Sequence, residues 1–158
     1  TRQDRFSLLG VLLFVVQVAL AVLPNVEFVT ALIIVIATVF GAKSLISVYV
    51  FAGLEIMVYG LGVWNIMYIY VWAILAGIVM LTRRFATPLI NAILAAFFGL
   101  FFGCLCSIPY FIVGGPAMGI PWIIQGIPYD LIHCIANFIL VFFSFNPLVR
   151  VLKKSIKN

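Results

Sequence analysis

Residues 64–88, WNIMYIYVWAILAGIVMLTRRFATP, contain the pattern that decides the fold of this chain. From Trp64 to Leu81 the stretch carries no charged residue, and two arginines follow after Thr82. A helix needs about 20 apolar residues to cross the hydrocarbon core of a bilayer, so a run of this length is typical of a transmembrane helix. We therefore predict a membrane span that ends at a short basic loop.

The rest of the chain has the same composition. Its 158 residues are 66% hydrophobic and 8% charged, whereas a soluble domain carries about 25% charged residues. This length supplies about six or seven spans and leaves no room for a soluble catalytic or nucleotide-binding domain. We predict a single transmembrane domain over residues 1–158.

The apolar runs are separated by turn residues and charges. The predicted fold class is all-α, an integral membrane bundle of six transmembrane helices at Phe6–Leu23, Phe28–Phe40, Ser44–Gly60, Trp64–Leu81, Pro88–Val113 and Pro128–Val149. The second span is short for a crossing, and we expect it to be tilted, broken or continued to Leu45. Residues 114–128, rich in Gly and Pro, are predicted to be a long loop.

The basic residues all fall on one side of such a bundle. They are Arg2, Arg5, Lys43, Arg83, Arg84, Arg150, Lys153, Lys154 and Lys157. Lys and Arg concentrate in cytoplasmic loops, so we predict that both termini are cytoplasmic in a multi-pass protein of the bacterial cytoplasmic membrane. The net charge of +5 is then a topology signal with some attraction to anionic lipid, and it does not indicate nucleic-acid binding.

Cysteines and histidine give no sign of a metal centre. Cys104, Cys106 and Cys134 lie within apolar runs, and the single histidine, His133, stands beside the last of them. An odd number of cysteines without a CxxC pair predicts neither a disulfide framework nor a metal site. We expect no cofactor in this chain.

Small residues recur at intervals of four in the fifth span, at Ala95, Gly99 and Gly103. This register lets two helices approach closely in lipid. It has two interpretations, packing within the chain and docking onto a partner subunit. Gly10 in the first span is a further candidate for docking.

Polar side chains inside a membrane are costly and usually functional. Asp130, His133 and Asn137 are spaced so that they share one face of the sixth span. Polar and aromatic residues also stand at the other external connections: Asn25, Glu27, Glu55, Tyr59, Trp64, Asn65, Tyr68, Trp122, Gln125 and Tyr129. We predict that these groups converge on one pocket that opens to the outside and suits an organic solute with a ring.

Individual members of this set have simpler interpretations. Trp64 and Trp122 are also typical of the aromatic belt at a membrane interface. His133 is also explained as a buried hydrogen-bonding residue. Asp130 is also explained as a cap at the start of the sixth span, where the helix dipole favours a carboxylate.

Three motifs resemble a known family. They are LPNVEFVT at residues 23–30, GLGVW at residues 60–64, and GIPYDLIH at residues 126–133 followed by Asn137. With the six-span outline they make nearly the whole chain similar to the substrate-binding (S) component of an energy-coupling factor (ECF) vitamin transporter. The resemblance implies that the chain binds a vitamin or a precursor from outside and is not an enzyme. It also implies a membrane coupling subunit and two cytoplasmic ATPase subunits, which hydrolyse the ATP.

The ligand and the docking surface remain open. Several S components dock through an Ala-x-x-x-Ala motif in the first helix, and this first span has no such spacing. The outer loops hold no Lys or Arg, which favours a hydroxymethylpyrimidine or pyridoxine-like compound, while cobalamin and pantothenate stay possible. One alternative is a structural six-helix membrane scaffold, which would copurify with a wall-synthesis complex. The other is a proton-coupled small-solute carrier, which would transport without ATPase partners.

Overall fold

The computed structural model describes the backbone of residues 2–23 and 26–157 and the side chains of residues 4–23 and 26–155. All regular structure in these residues is helical, which confirms the predicted all-α class. The helices are α1 (Arg2–Leu20), α2 (Val29–Phe40), α3 (Ser44–Tyr59), α4 (Val63–Ile66), α5 (Val71–Thr82), α6 (Pro88–Leu100), α7 (Phe102–Cys106) and α8 (Ile108–Lys157). Short 3-10 turns at Gly41–Lys43, Met67–Ile69 and Arg83–Phe85 lie between or after them.

Helix α2 forms the centre of the bundle. It is rich in Val, Ile and Thr, which lose side-chain freedom in a helix. A segment without access to water must satisfy its backbone hydrogen bonds internally, and this requirement outweighs the weak local propensity. Residues 29–37 are all buried. Helix α2 packs against α5 and α8, while α1 packs along α3.

Local sequence explains where two of the helices begin and end. Helix α2 ends at Gly41, whose φ of 59° is in the region that favours glycine, and a 3-10 turn leads from there into α3. The predicted second span therefore stops at Phe40 and is not continued as one helix to Leu45. Helix α6 begins where the Thr87 side chain accepts a hydrogen bond from the Ile90 backbone N–H at 3.2 Å, with Pro88 in the first turn.

The predicted loop at residues 114–128 is wrong, because this stretch is helical apart from Gly115, where φ is 61°. The rings of Tyr110 and Trp122 stack with centroids 4.0 Å apart, although twelve residues of straight helix would separate them by about 18 Å. The chain therefore reverses at Gly115. Pro116 then stands in a first helical turn, where its missing N–H costs little.

The reversal divides the C-terminal half into two arms. The first arm contains α6, α7 and residues 108–114, and the second arm contains residues 116–157, which pack back along α6. The predicted sixth span, which was expected to begin at Pro128, is therefore part of a longer helix that begins just after Gly115. Glycine and proline content indicated a loop, but only Gly115 leaves the helical conformation.

The basic loops gather at one end of the bundle. The Arg5 guanidinium donates to the Ser155 carbonyl at 3.1 Å, which joins the start of α1 to the end of α8. The Arg83 side chain lies against Gly41, so the turn after α2 meets the turn after α5. We call this end of the molecule the basic end and the opposite one the cavity end.

Within the part of the chain that the structure describes, three helical stretches are long and apolar enough to cross a membrane, judged by length and composition: Val29–Tyr59, Val63–Phe85 and Ile108–Ser155. The first contains the turn at Gly41, and the third contains the reversal at Gly115. Each of these two stretches therefore comprises two helical segments that change direction between them.

The small-residue series packs inside the chain. The Ala95 carbonyl accepts a hydrogen bond from the Asn137 amide at 3.3 Å. A Cβ at Gly99 would lie 2.8 Å from the carbonyl carbon of His133. Gly103 lies against Asp130 in the same way, and Gly10 lies against Ser47 and Val50 of α3.

These contacts correct the predicted docking surface. Helices of the same chain cover the four predicted docking positions, namely Gly10, Ala95, Gly99 and Gly103. These positions are therefore not accessible to a partner subunit. Internal packing, the other interpretation of the spacing, accounts for all four positions. Backbones that approach this closely leave no room even for a methyl group at Gly99.

Candidate ligand-binding site

A cavity of about 500 Å³ lies at the cavity end, between α1, the segment before α2, the start of α5, α7 and the second arm. Its lining residues come from segments that are far apart in sequence: Gln17, Leu20, Ala21, Leu23, Val26, Glu27, Met67, Tyr68, Trp72, Phe102, Gly103, Cys106, Trp122, Gln125, Gly126, Tyr129, Asp130 and His133. Most of the lining is apolar or aromatic, with a few polar groups, which is the usual composition of a small-molecule site.

Glu27 forms one polar wall of the cavity and is well supplied with hydrogen bonds. The Thr30 backbone N–H donates to Oε2 at 2.9 Å, and the Thr30 hydroxyl donates to Oε1. The carboxylate thus accepts from a backbone N–H in the first turn of α2 that has no partner within the helix. His133 Nε2 lies 3.0 Å from Glu27 Oε1, so this bond ties the segment before α2 to the second arm.

Asp130 forms a second polar wall and has fewer partners. Its two carboxylate oxygens lie 3.1 and 3.2 Å from the Gly103 backbone nitrogen, which donates to both. This N–H lies in the first turn of α7, which begins after Phe101, so it has no acceptor within its own helix and is left for Asp130. Helix α8 continues on both sides of Asp130, so the interpretation of this residue as a helix cap is wrong.

A row of rings forms the apolar wall. Tyr68 and Trp72 stack nearly parallel at 5.9 Å, and Trp72 lies 5.7 Å from Phe102. The Phe102 ring then contacts His133 edge-on at 4.9 Å. Gln17 from α1 donates to the Tyr68 hydroxyl at 3.2 Å, which links that ring to α1.

The charges of the lining are unequal. Two carboxylates and one imidazole face the cavity, and none of its described lining residues is Lys or Arg. Within the described residues, no three His, Cys, Asp or Glu side chains gather closely enough to hold a metal ion. The cavity thus presents aromatic ring faces together with two carboxylates and one imidazole.

Seven of the residues singled out from the sequence line this cavity together: Glu27, Tyr68, Trp122, Gln125, Tyr129, Asp130 and His133. They come from the segment before α2, the turn before α5 and the second arm. Asn25 lies outside the described residues. The other five predicted residues do not line the cavity, and each has a structural reason.

Two of the five lie on the outer surface. Tyr59 and Trp64 pack against each other at 6.1 Å and are both exposed. Asn65 is buried, and its amide donates to the Gly60 carbonyl, which closes the turn between α3 and α4. The Trp64 ring contacts Tyr68 at 6.0 Å across the 3-10 turn at Met67–Ile69, but Trp64 itself does not line the cavity.

The other two predicted residues are buried below the cavity or beside it. Asn137 lies one turn beyond His133 along α8, and it bonds to the α6 backbone instead of facing the cavity. Glu55 is buried in α3, where its Oε1 has no hydrogen-bond partner among the described residues. Both residues belong to the interior packing of the bundle in this structure.

The sequence interpretation missed several lining residues, among them Gln17, Met67, Phe102 and Cys106, and it gave Gly103 a different role. Gln17 carried a usable signal, because it is an amide in an otherwise apolar stretch of the first span. Aromatic residues such as Phe102 carried none, because one ring in an apolar run looks the same whether it faces a cavity, lipid or another helix.

No protein-family model matches this chain, and no curated protein and no solved structure matches it either.

Proposed function

We propose that this chain is the substrate-specific membrane subunit of an ATP-driven, ECF-type vitamin importer. Its task is to hold a vitamin or a precursor that arrives from outside. The observation that carries the proposal is the cavity of about 500 Å³, whose ring-bearing and polar side chains come from four separate parts of the chain. Small-molecule sites occupy about 300–1,000 Å³ and have this kind of lining.

The size and charge of the cavity bear on the ligand. A single-ring compound of the hydroxymethylpyrimidine or pyridoxine type suits this volume, whereas cobalamin is much larger than such a ring. Pantothenate carries a carboxylate, and the lining offers it no Lys or Arg. A purely structural scaffold has no need for a cavity with a polar wall, so the site favours binding over scaffolding.

We further propose six membrane crossings with both termini in the cytoplasm. The support is the clustering of Arg5, Arg83 and the end of α8 at one end of the bundle, opposite the cavity. Positive residues favour the cytoplasmic side, which supports a cavity that opens at the outer face. Energy would then come from a coupling subunit and two cytoplasmic ATPases, which the chain contacts through a surface other than the covered glycine positions.

This topology is tested with cysteine labelling in intact cells. The chain is first stripped of its native thiols by changing Cys104, Cys106 and Cys134 to Ala. Leu61→Cys, at an exposed position at the cavity end, is expected to react with a membrane-impermeant maleimide. Phe85→Cys, which is exposed at the basic end, is expected to react only after permeabilisation. The reverse pattern would show that the cavity faces the cytoplasm.

Binding is tested by native mass spectrometry of the detergent-purified chain, which gives the mass of any small molecule it retains. Two tyrosines of similar exposure then provide a matched pair, since Tyr129 is 56% exposed and lines the cavity, while Tyr59 is 50% exposed and does not. Removal of an aromatic contact costs about 0.5–1.5 kcal/mol beyond area burial, so Tyr129→Ala is expected to weaken binding about tenfold.

The control variant is Tyr59→Ala, which is expected to bind the retained molecule with unchanged affinity in the same titration. Equal losses in the two variants would mean that the cavity is not the binding site. Complete absence of a bound molecule, together with no response to any vitamin precursor tested, would contradict the binding function.

A further inference from the structure

The carboxylates of the cavity differ in how much hydrogen-bonding capacity they have left. An ionised carboxylate accepts about four hydrogen bonds. Glu27 already receives the Thr30 N–H and hydroxyl and lies within bonding distance of His133. Asp130 receives one backbone N–H, which its two oxygens share. Asp130 is therefore the carboxylate with the most unused hydrogen-bond acceptor capacity for a bound molecule.

The charge of the lining leads to the same residue. His133 hydrogen-bonds to Glu27, and even when it is protonated it supplies one positive charge for two carboxylates, so the described lining keeps a net negative charge. A carboxylate removed from water is costly unless a cation or several donors accompany it. Asp130 is 8% exposed, and among the described lining residues it has no Lys or Arg beside it.

Resting on the proposed function, we propose that the ligand is a cationic aromatic nitrogen compound of the amidine or amino-heterocycle type, and that its charged N–H groups bind Asp130. Two N–H groups in one plane match the two oxygens of a carboxylate. The attached ring then lies against the aromatic wall of Tyr68, Trp72 and Phe102, where a delocalised cation is also stabilised by the ring faces.

Three probes of nearly equal shape separate charge from shape: benzamidine, which is a cation at neutral pH, benzamide, which is neutral, and benzoate, which is an anion. Binding to the detergent-purified chain is followed by tryptophan fluorescence, because Trp72 and Trp122 both line the cavity. Benzamidine is expected to bind at least about tenfold more tightly than benzamide, and benzoate most weakly.

The Asp130→Asn variant keeps an acceptor for the Gly103 N–H and removes the charge. It is expected to reduce the benzamidine-to-benzamide preference to about twofold or less. Asp4→Asn removes the same formal charge from α1, toward the basic end, and is expected to retain the full preference. If Asp130→Asn does not fold, Glu27→Gln is measured instead, and a reduced preference there likewise supports a cationic ligand.

The possible outcomes separate this inference from the function beneath it. Benzamide or benzoate binding as tightly as benzamidine would overturn the cationic ligand while leaving a binding protein. A benzamidine preference that survives Asp130→Asn unchanged would overturn the role of Asp130. Failure of all three probes, in a chain that also retains no molecule on purification, would overturn the proposed function and this inference together.

Discussion

Replacing Gly99 by alanine is expected to lower the melting temperature of the purified protein by about 5 °C or more. The new Cβ would lie 2.8 Å from the carbonyl carbon of His133 and 2.9 Å from the Cys134 nitrogen, and main chain cannot move aside as a flexible side chain does. Overpacking of this kind costs about 1–3 kcal/mol, and each kcal/mol shifts the melting temperature of a chain of this size by about 2–4 °C. Thermal unfolding in detergent measures the effect.

Gly77→Ala is the matched control, because Gly77 also lies inside a helix, but a Cβ added there would meet no neighbouring side chain or helix within 4 Å. Alanine is favoured over glycine in a helix by about 1 kcal/mol, so this variant is expected to melt at the same temperature or slightly higher. If the two variants melted alike, the close approach of α6 and α8 at Gly99 would be disproved.

Replacing His133 by alanine is expected to weaken ligand binding by about 30- to 100-fold. The change removes the bond to Glu27 and the contact with Phe102, and hydrogen bonds to charged groups contribute about 1.5–3 kcal/mol. The expected loss includes the looser attachment of the segment before α2 to the second arm. Titration of the molecule identified by mass spectrometry gives the affinity.

Asn137→Ala separates binding from packing on the same helix. Asn137 is buried one turn farther along α8, bonds to the Ala95 carbonyl and does not line the cavity. We expect this variant to melt at a lower temperature and to bind the ligand with affinity within about twofold of the parent. A large loss of affinity in Asn137→Ala would mean that the cavity extends deeper than residues 130–133.

The helical class and most helix positions were predictable, because a long uncharged apolar run in a membrane must satisfy its own backbone hydrogen bonds, and a helix does so. The boundaries at Gly41 and Thr87 also follow from local chemistry. The stretch after Gly115 was not predictable in the same way, since Gly and Pro indicate a loop in water. In this fold, three further prolines of the second arm, Pro121, Pro128 and Pro147, lie within helix.

The site was predictable only in part, for a geometric reason. The spacing of Asp130 and His133 places them on one face of one continuous helix, and both do line the cavity. The rings of Trp64, Tyr68 and Trp72 are also spaced by four and contact one another in that order, yet Trp64 is exposed and does not line the cavity. Spacing therefore predicts which side chains are neighbours, but not how many of them a cavity reaches.

The close packing of α6 on the second arm also bears on how readily the protein could acquire a new ligand. At Gly99 the two helices approach closely because glycine has no side chain, and main-chain atoms of His133 and Cys134 lie directly beside it. Gln125 and Tyr129 are exposed residues nearer the reversal, and they take no part in that contact or in the stacking of Trp122 on Tyr110. A library randomised at these two positions should therefore yield mostly folded variants, among which altered chemical selectivity can be found.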